Sequence, residues 1–262
     1  MGQIFFMYIV LVSSVTGSDA WGIAGPLALF VMINIFGSIS GGHFNPAVTT
    51  GIFIREQKYG ENLTFYLSIV ASQICGAIVG MLIGTLSCLE QQNGDYTINL
   101  GAPLLLPAPV ATQVVTGAKD IDRDEIFSTI WMEVVCTFIF VLLILVVTGK
   151  RTIAPDLGSY GVFAICLNLW ALSNVDAFTG ASFNPALAIS QTIFQYWWYP
   201  TNPSGVMWFY LPYYIIGAIL GGVSAGVFYM FYETVFPEKE EVSWRKKNLV
   251  DDEGQSLASS IN

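Results

Sequence analysis

The chain has 262 residues, of which 54% are apolar and only 11% charged, and its mean hydropathy is +0.60. An ordinary soluble domain carries about 25% charged residues, so this composition excludes a typical soluble enzyme and points to a chain dissolved in lipid. The net charge is −9 without any basic stripe, which argues against a nucleic-acid partner. A single histidine and four cysteines without CxxC spacing argue against a metal site or a disulfide framework.

In chain order, long apolar segments cover residues 4–16, 22–40, 63–88, 126–148, 160–173 and 206–232. About 20 residues cross the hydrocarbon core, and these segments reach that length or borrow flanking residues to do so. The first lacks a basic n-region and so does not read as a signal peptide, and Phe6 stands where a myristoylation signal needs Ser or Thr. Eight basic residues (Arg55, Lys58, Lys150, Arg151, Lys239, Arg245, Lys246 and Lys247) follow the second, fourth and sixth segments, against Lys119 and Arg123 on the other side. The positive-inside rule then puts both termini in the cytoplasm of a multi-pass protein. The loop 90–125, with six acids and two bases, lies outside. The sequon at Asn62 falls on the cytoplasmic side and should be unused.

The chain also repeats itself. Ser40-Gly41-Gly42-His43-Phe44-Asn45-Pro46-Ala47 matches Thr179-Gly180-Ala181-Ser182-Phe183-Asn184-Pro185-Ala186, 139 positions later. Gly76-Ala77 matches Gly217-Ala218, 141 positions later. Three segments per half is an odd number, so the second half must be inverted, and inverted repeats place their site between them, near the midplane. The divisions are 1–125, 126–236 and a polar tail, 237–262, expected to be disordered with Trp244 to Lys247 at the lipid surface. After each Asn-Pro-Ala comes an apolar stretch too short to cross, 48–54 or 187–194. Asn caps helices and Pro suits the first helical position, so each stretch reads as a half-helix dipping into the bilayer. Irregular backbone at that depth must line a cavity or be buried in protein. The glycine-rich approaches predict extended backbone.

These motifs resemble the aquaporin and glycerol-facilitator superfamily, the major intrinsic proteins, over essentially the whole chain to about Tyr232. Gln73, Gly76 and Ala77 resemble its third-helix motif. Glu133 with Thr137 and Phe138 resembles the fourth, and Trp208 before Gly217-Ala218 the sixth. The resemblance implies an all-α membrane protein: six transmembrane helices plus two re-entrant half-helices in an inverted 3+3 repeat. It implies a homotetramer in the lipid bilayer, without cofactor, with one passive channel per subunit for water or small neutral solutes. Pairing of the half-helix N-termini would oppose cations, as in aquaporin-type pores generally. Asn45 and Asn184 would donate toward the lumen. Carbonyls of Gly41, Gly42, His43, Gly180 and Ser182 would accept along it. Glu133 would be a structural acceptor for loop backbone, and it reads as the sole ionisable group deep in a span besides His43.

Against that pattern the chain departs in two places. The repeat offset puts a counterpart of Glu133 before Met1, so the first helix reads as truncated. The four constriction positions fall on Gly25, Leu172, Ala181 and Leu187. Leu187 replaces the usual arginine, and Ala188 replaces the glycerol-type acid. Tyr210 is water-type and Leu211 glycerol-type, and Pro212 lies five residues before Gly217. This predicts a wide, apolar filter that passes water, glycerol, urea or ammonia. The competing readings are a poorly conducting structural subunit of a membrane complex, an ion channel and, more remotely, a membrane enzyme. His43 reads as a packed ring, the helical glycines as packing positions, Cys75 and Cys166 as inert packing residues, and Trp197-Trp198-Tyr199 as an interfacial belt.

Overall fold

The computed structural model describes residues 1–15, 22–92, 95–98, 105–116, 125–149, 159–198 and 205–235. Among them, helices α1 (Gly2–Val15), α2 (Ala24–Ser40), the short α3 (Pro46–Glu56) and α4 (Tyr59–Ser87) form the first repeat. Helices α6 (Ile126–Val147), α7 (Ser159–Val175), the short α8 (Pro185–Trp198) and α9 (Val206–Val235) form the second. The loop between them is less plain than the sequence suggested. It holds a small antiparallel hairpin, β1 (Leu89–Gln92) and β2 (Asp95–Ile98), and a helix, α5 (Ala108–Thr116). The all-α reading therefore needs that one local amendment. Leu105, Leu106, Val110 and Val114 are buried with Tyr210 and Tyr214 of α9, so this part of the loop is packed, not solvated. The tail 237–262, the acidic loop residues 120–124 and most of the basic residues used for orientation lie outside the described residues.

Helices α4, α6 and α9 are long and apolar enough to cross a bilayer, and α1, α2 and α7 are shorter apolar helices. Large apolar side chains face outward along them, Ile39 at 77% exposure and Phe127 at 76% among them. A soluble protein would bury such residues, and here they suit a hydrocarbon surround. Asn62, in the first turn of α4, donates from Nδ2 to Glu56 Oε2 at 2.9 Å. Pro212 sits inside α9, which continues through it.

Glycines set how closely the helices approach. On α4, a Cβ at Gly76 would stand 2.9 Å from Cβ of Gln3, and one at Gly84 3.0 Å from Leu11, so α1 lies directly on this face. On α9, a Cβ at Gly217 would stand 2.7 Å from Cβ of Glu133, and one at Gly221 2.7 Å from Thr137, so α6 lies on α9 in the same way. Small residues at helical spacing permit this backbone contact. The matched contacts put Gln3 of α1 at the place that Glu133 holds on α6, whereas the constant offset points before Met1. The fixed offset failed because 42 positions separate Gln3 from Asn45, whereas 51 separate Glu133 from Asn184. The halves also interlock crosswise. Helix α4 packs on α8, while Gly222 and Gly226 of α9 pack against Ala47, Gly51 and Ile54 of α3. Residues Met1–Tyr229 accordingly form one compact unit, not two separable repeats.

Candidate functional site

Both half-helices begin where the capping chemistry placed them. Asn45 is extended (φ −157°, ψ 120°), its side chain accepts from Ala47 N at 2.8 Å, and Pro46 occupies the first turn of α3. Asn184 Oδ1 likewise accepts from Ala186 N at 3.0 Å ahead of Pro185. The helices have 11 and 14 residues, about 16 and 21 Å at 1.5 Å per residue. Neither crosses about 30 Å of hydrocarbon alone, but end to end they match it.

The two N-termini are joined. Asn45 Nδ2 donates to Phe183 O at 2.8 Å, and Asn184 Nδ2 donates to Phe44 O at 3.0 Å. Each amide caps its own helix with its oxygen and ties the opposite loop with one N–H. One N–H of each remains beyond these two bonds, where sequence reasoning had assigned the whole group to the lumen.

The approaches are left-handed, not extended as expected. Gly41, Gly42 and Phe44 have φ of 80°, 63° and 47°, and Gly180, Ala181 and Phe183 have 89°, 56° and 47°. The same three positions recur 139 residues later. Ala181 therefore holds a conformation costing roughly 1–2 kcal/mol for a residue with a Cβ. The second loop is held by a buried acid cluster. Glu133 accepts from Ser182 N (2.9 Å) and Phe183 N (2.8 Å), and Thr179 Oγ1 lies 3.3 Å from its Oε1. Thr179 Oγ1 donates at 2.7 Å to Asp176 Oδ2, and Tyr214 Oη donates at 2.6 Å to Thr179 O. Asp176 is as fully buried as Glu133. Asp176 lies just past the end of α7, outside the spans, and sequence reasoning did not bring it to this cluster because it reads as a loop residue. In the first loop, the Thr49 hydroxyl donates to Asn45 O (3.0 Å) and accepts from Gln73 Nε2 (2.9 Å). His43 Nδ1 lies 3.3 Å from the same oxygen.

Two cavities flank this junction. One, of about 180 Å³, is bordered by Gly25, Asn45, Gly180, Ala181, Ser182, Asn184 and Leu187. The other, of about 670 Å³, is bordered by Gly41, Gly42, Ile33, Arg55 and Thr148. Leu29, His43 and Phe140 border both. Leu172 does not border either. It is 7% exposed and belongs to the core, while Leu169 and Ser173, four residues apart on α7, line the smaller cavity. Pro46, Ala47, Pro185 and Ala186 are buried helix starts. Cys166 is buried but Cys75 is exposed on α4, so only the former is a packing residue. The side chains of Trp197 and Trp198 and all of Tyr199 fall outside what is described. No group of three or more His, Cys, Asp or Glu suited to a metal occurs among the described residues.

Paired, Asn-capped half-helices beside a divided cavity define a channel-type membrane protein. Residues 4–229 match the family model "Major intrinsic protein", and the chain belongs to that family. Its relatives include a glycerol uptake facilitator protein-like 6 of Lactiplantibacillus plantarum, 31% identical and covering 79% of this chain and 84% of the relative. Aquaporin Z of Photorhabdus laumondii is 30% identical, covering 82% and 81%. Aquaporin TIP1-1 of Zea mays is 28% identical, covering 81% and 71%. The fold resembles that in the X-ray structure of the aquaglyceroporin from Plasmodium falciparum, with a TM-score of 0.55, 18% identity and coverage of 87% and 93%. The chain is thus an integral membrane protein of a channel family and not an enzyme.

Proposed function

We propose that the chain forms a passive channel for water and small neutral solutes, with six spans, both termini cytoplasmic and a homotetrameric assembly. The observation that carries this reading is the reciprocal bonding of Asn45 and Asn184 to Phe183 and Phe44. It joins two helix N-termini at one point that borders the smaller cavity. Each N-terminus carries about +0.5 elementary charge, so the junction repels hydronium and metal cations, while neutral molecules meet only the free amide N–H groups. Gly25, Ala181 and Leu187 form the outer mouth, and loop carbonyls supply acceptors on either side. No energy source is needed, because nothing in the path holds a solute tightly.

Stopped-flow swelling of proteoliposomes tests the reading. Purified protein should speed water exchange well above that of empty lipid, with no current under voltage clamp. Swelling no faster than lipid would instead support a structural subunit, and measurable current would support an ion channel.

A further inference from the structure

Leu29, His43 and Phe140 come from α2, the first re-entrant loop and α6, and border both cavities. They are therefore the wall between the two. Leu29 is 5% and Phe140 3% exposed, and packing in the main apolar core holds both side chains. The imidazole is fixed as well. Its Nδ1 is engaged by Thr49, which Gln73 holds in turn. Its Nε2 lies over Gly41, where a Cβ would stand only 2.9 Å away, and Gly41 has φ +80°. Glycine at 41 is thus what lets the ring occupy this place.

The outer mouth is different in kind. Gly25 has no side chain, Ala181 has a methyl, and Leu187 is a flexible aliphatic. It offers little bulk and no side-chain donor. The bulk and the polar edge are further in, at the three-residue collar.

We propose that Leu29, His43 and Phe140 form the size-selecting collar of this channel, and that it passes water-sized neutral molecules, water or ammonia, and excludes polyols. This rests on the channel reading above and names its solute class. A polyol entering the collar must shed its hydration shell. Each hydroxyl left without a partner there is costly. The collar supplies one imidazole nitrogen and two apolar walls, and Asn45 and Asn184 have already committed one N–H each to Phe183 and Phe44. Three hydroxyls cannot be matched by that set. A water molecule can, because its neighbours in single file supply the remaining bonds. The wide, apolar outer mouth is then not what sets selectivity.

The full chain in proteoliposomes tests this, with water and glycerol fluxes measured for the wild type, Phe140→Ala and Leu29→Ala. The wild type should conduct water and leave glycerol at the lipid rate. Each variant should raise glycerol permeability on the order of tenfold, the scale on which an apolar site discriminates by shape. Phe140→Leu, a smaller change, serves if either alanine variant fails to fold, and should raise glycerol less. Wild-type glycerol flux far above lipid overturns the collar, and so does water conduction with glycerol unmoved in the folded variants. If neither wild type nor variants conduct anything, the channel reading itself falls, and the collar with it.

Discussion

Gln3 stands against Gly76 as Glu133 stands against Gly217, and the two equivalent side chains have opposite fates. Glu133 is fully bonded to the second loop. Gln3 is 5% exposed, and neither its Oε1 nor its Nε2 has a hydrogen-bond partner among the described residues. The first loop is held instead by Thr49 and Gln73. An unsatisfied buried amide costs roughly 1–3 kcal/mol, so Gln3→Met, which keeps the volume, should raise the melting temperature in detergent. Glu133→Gln should lower it. The amide keeps one acceptor oxygen for two backbone N–H groups and turns an NH2 toward one of them, a loss of about 1.5–3 kcal/mol. Equal destabilisation by both changes would remove the distinction drawn between these positions.

Aspartate at position 45 or 184 separates capping from cross-linking. Asn45→Asp keeps an oxygen for Ala47 N but loses the donor to Phe183 O and sets two acceptors face to face. The cap, generally worth about 1 kcal/mol, survives, and the tie between the half-helices does not. We expect a lower melting temperature, slower water flux and a new cation leak, because a negative charge then sits at the positive junction. Asn184→Asp should behave alike through Phe44 O. A variant with wild-type swelling and no leak would show that the amides are not at the barrier.

The half-helix starts were legible because their cause is local: an amide oxygen capping an N-terminus, with proline following, acts within three residues of chain. The glycine pattern on α4 and α9 was legible for the same reason. The Gln3–Glu133 correspondence was not, since unequal linkers break a constant offset, and only packing restores it. Backbone handedness was missed too. Glycine permits both extended and left-handed backbone, and Ala181, at φ 56°, gives no hint of the latter in sequence. Asp176 and Tyr214 enter the site through Thr179, a tertiary convergence invisible to spacing.

Close approach between α9 and α3 predicts a steric effect at the first half-helix. A Cβ at Gly222 would collide with the Ala47 carbonyl, in the first turn of α3, and one at Gly51 would stand 3.1 Å from Gly222 O. Gly222→Ala should push the first half-helix off its seat, costing about 1–3 kcal/mol as overpacking does, and cut water flux. Gly60→Ala is the matched control, since nothing lies within 4 Å of a Cβ there. If Gly222→Ala and Gly60→Ala unfold and conduct alike, the two elements are not in contact as described.

Leu187→Arg tests where selection occurs. Leu187 borders the smaller cavity, and its N–H lies 3.4 Å from Asn184 Oδ1, so a guanidinium would bring five donors and a fixed charge to the outer mouth. In the wild-type background glycerol is already stopped at Phe140, so the change should slow water without altering glycerol. In the Phe140→Ala background, where the inner wall has been opened, the same arginine should restore much of the glycerol exclusion, because the mouth becomes the narrowest polar point in the path. The comparison is a double-mutant cycle, and the two sites, which both border the smaller cavity, should couple through the solute. Glycerol flux that is identical in Phe140→Ala with and without Leu187→Arg would place Leu187 outside the conduit.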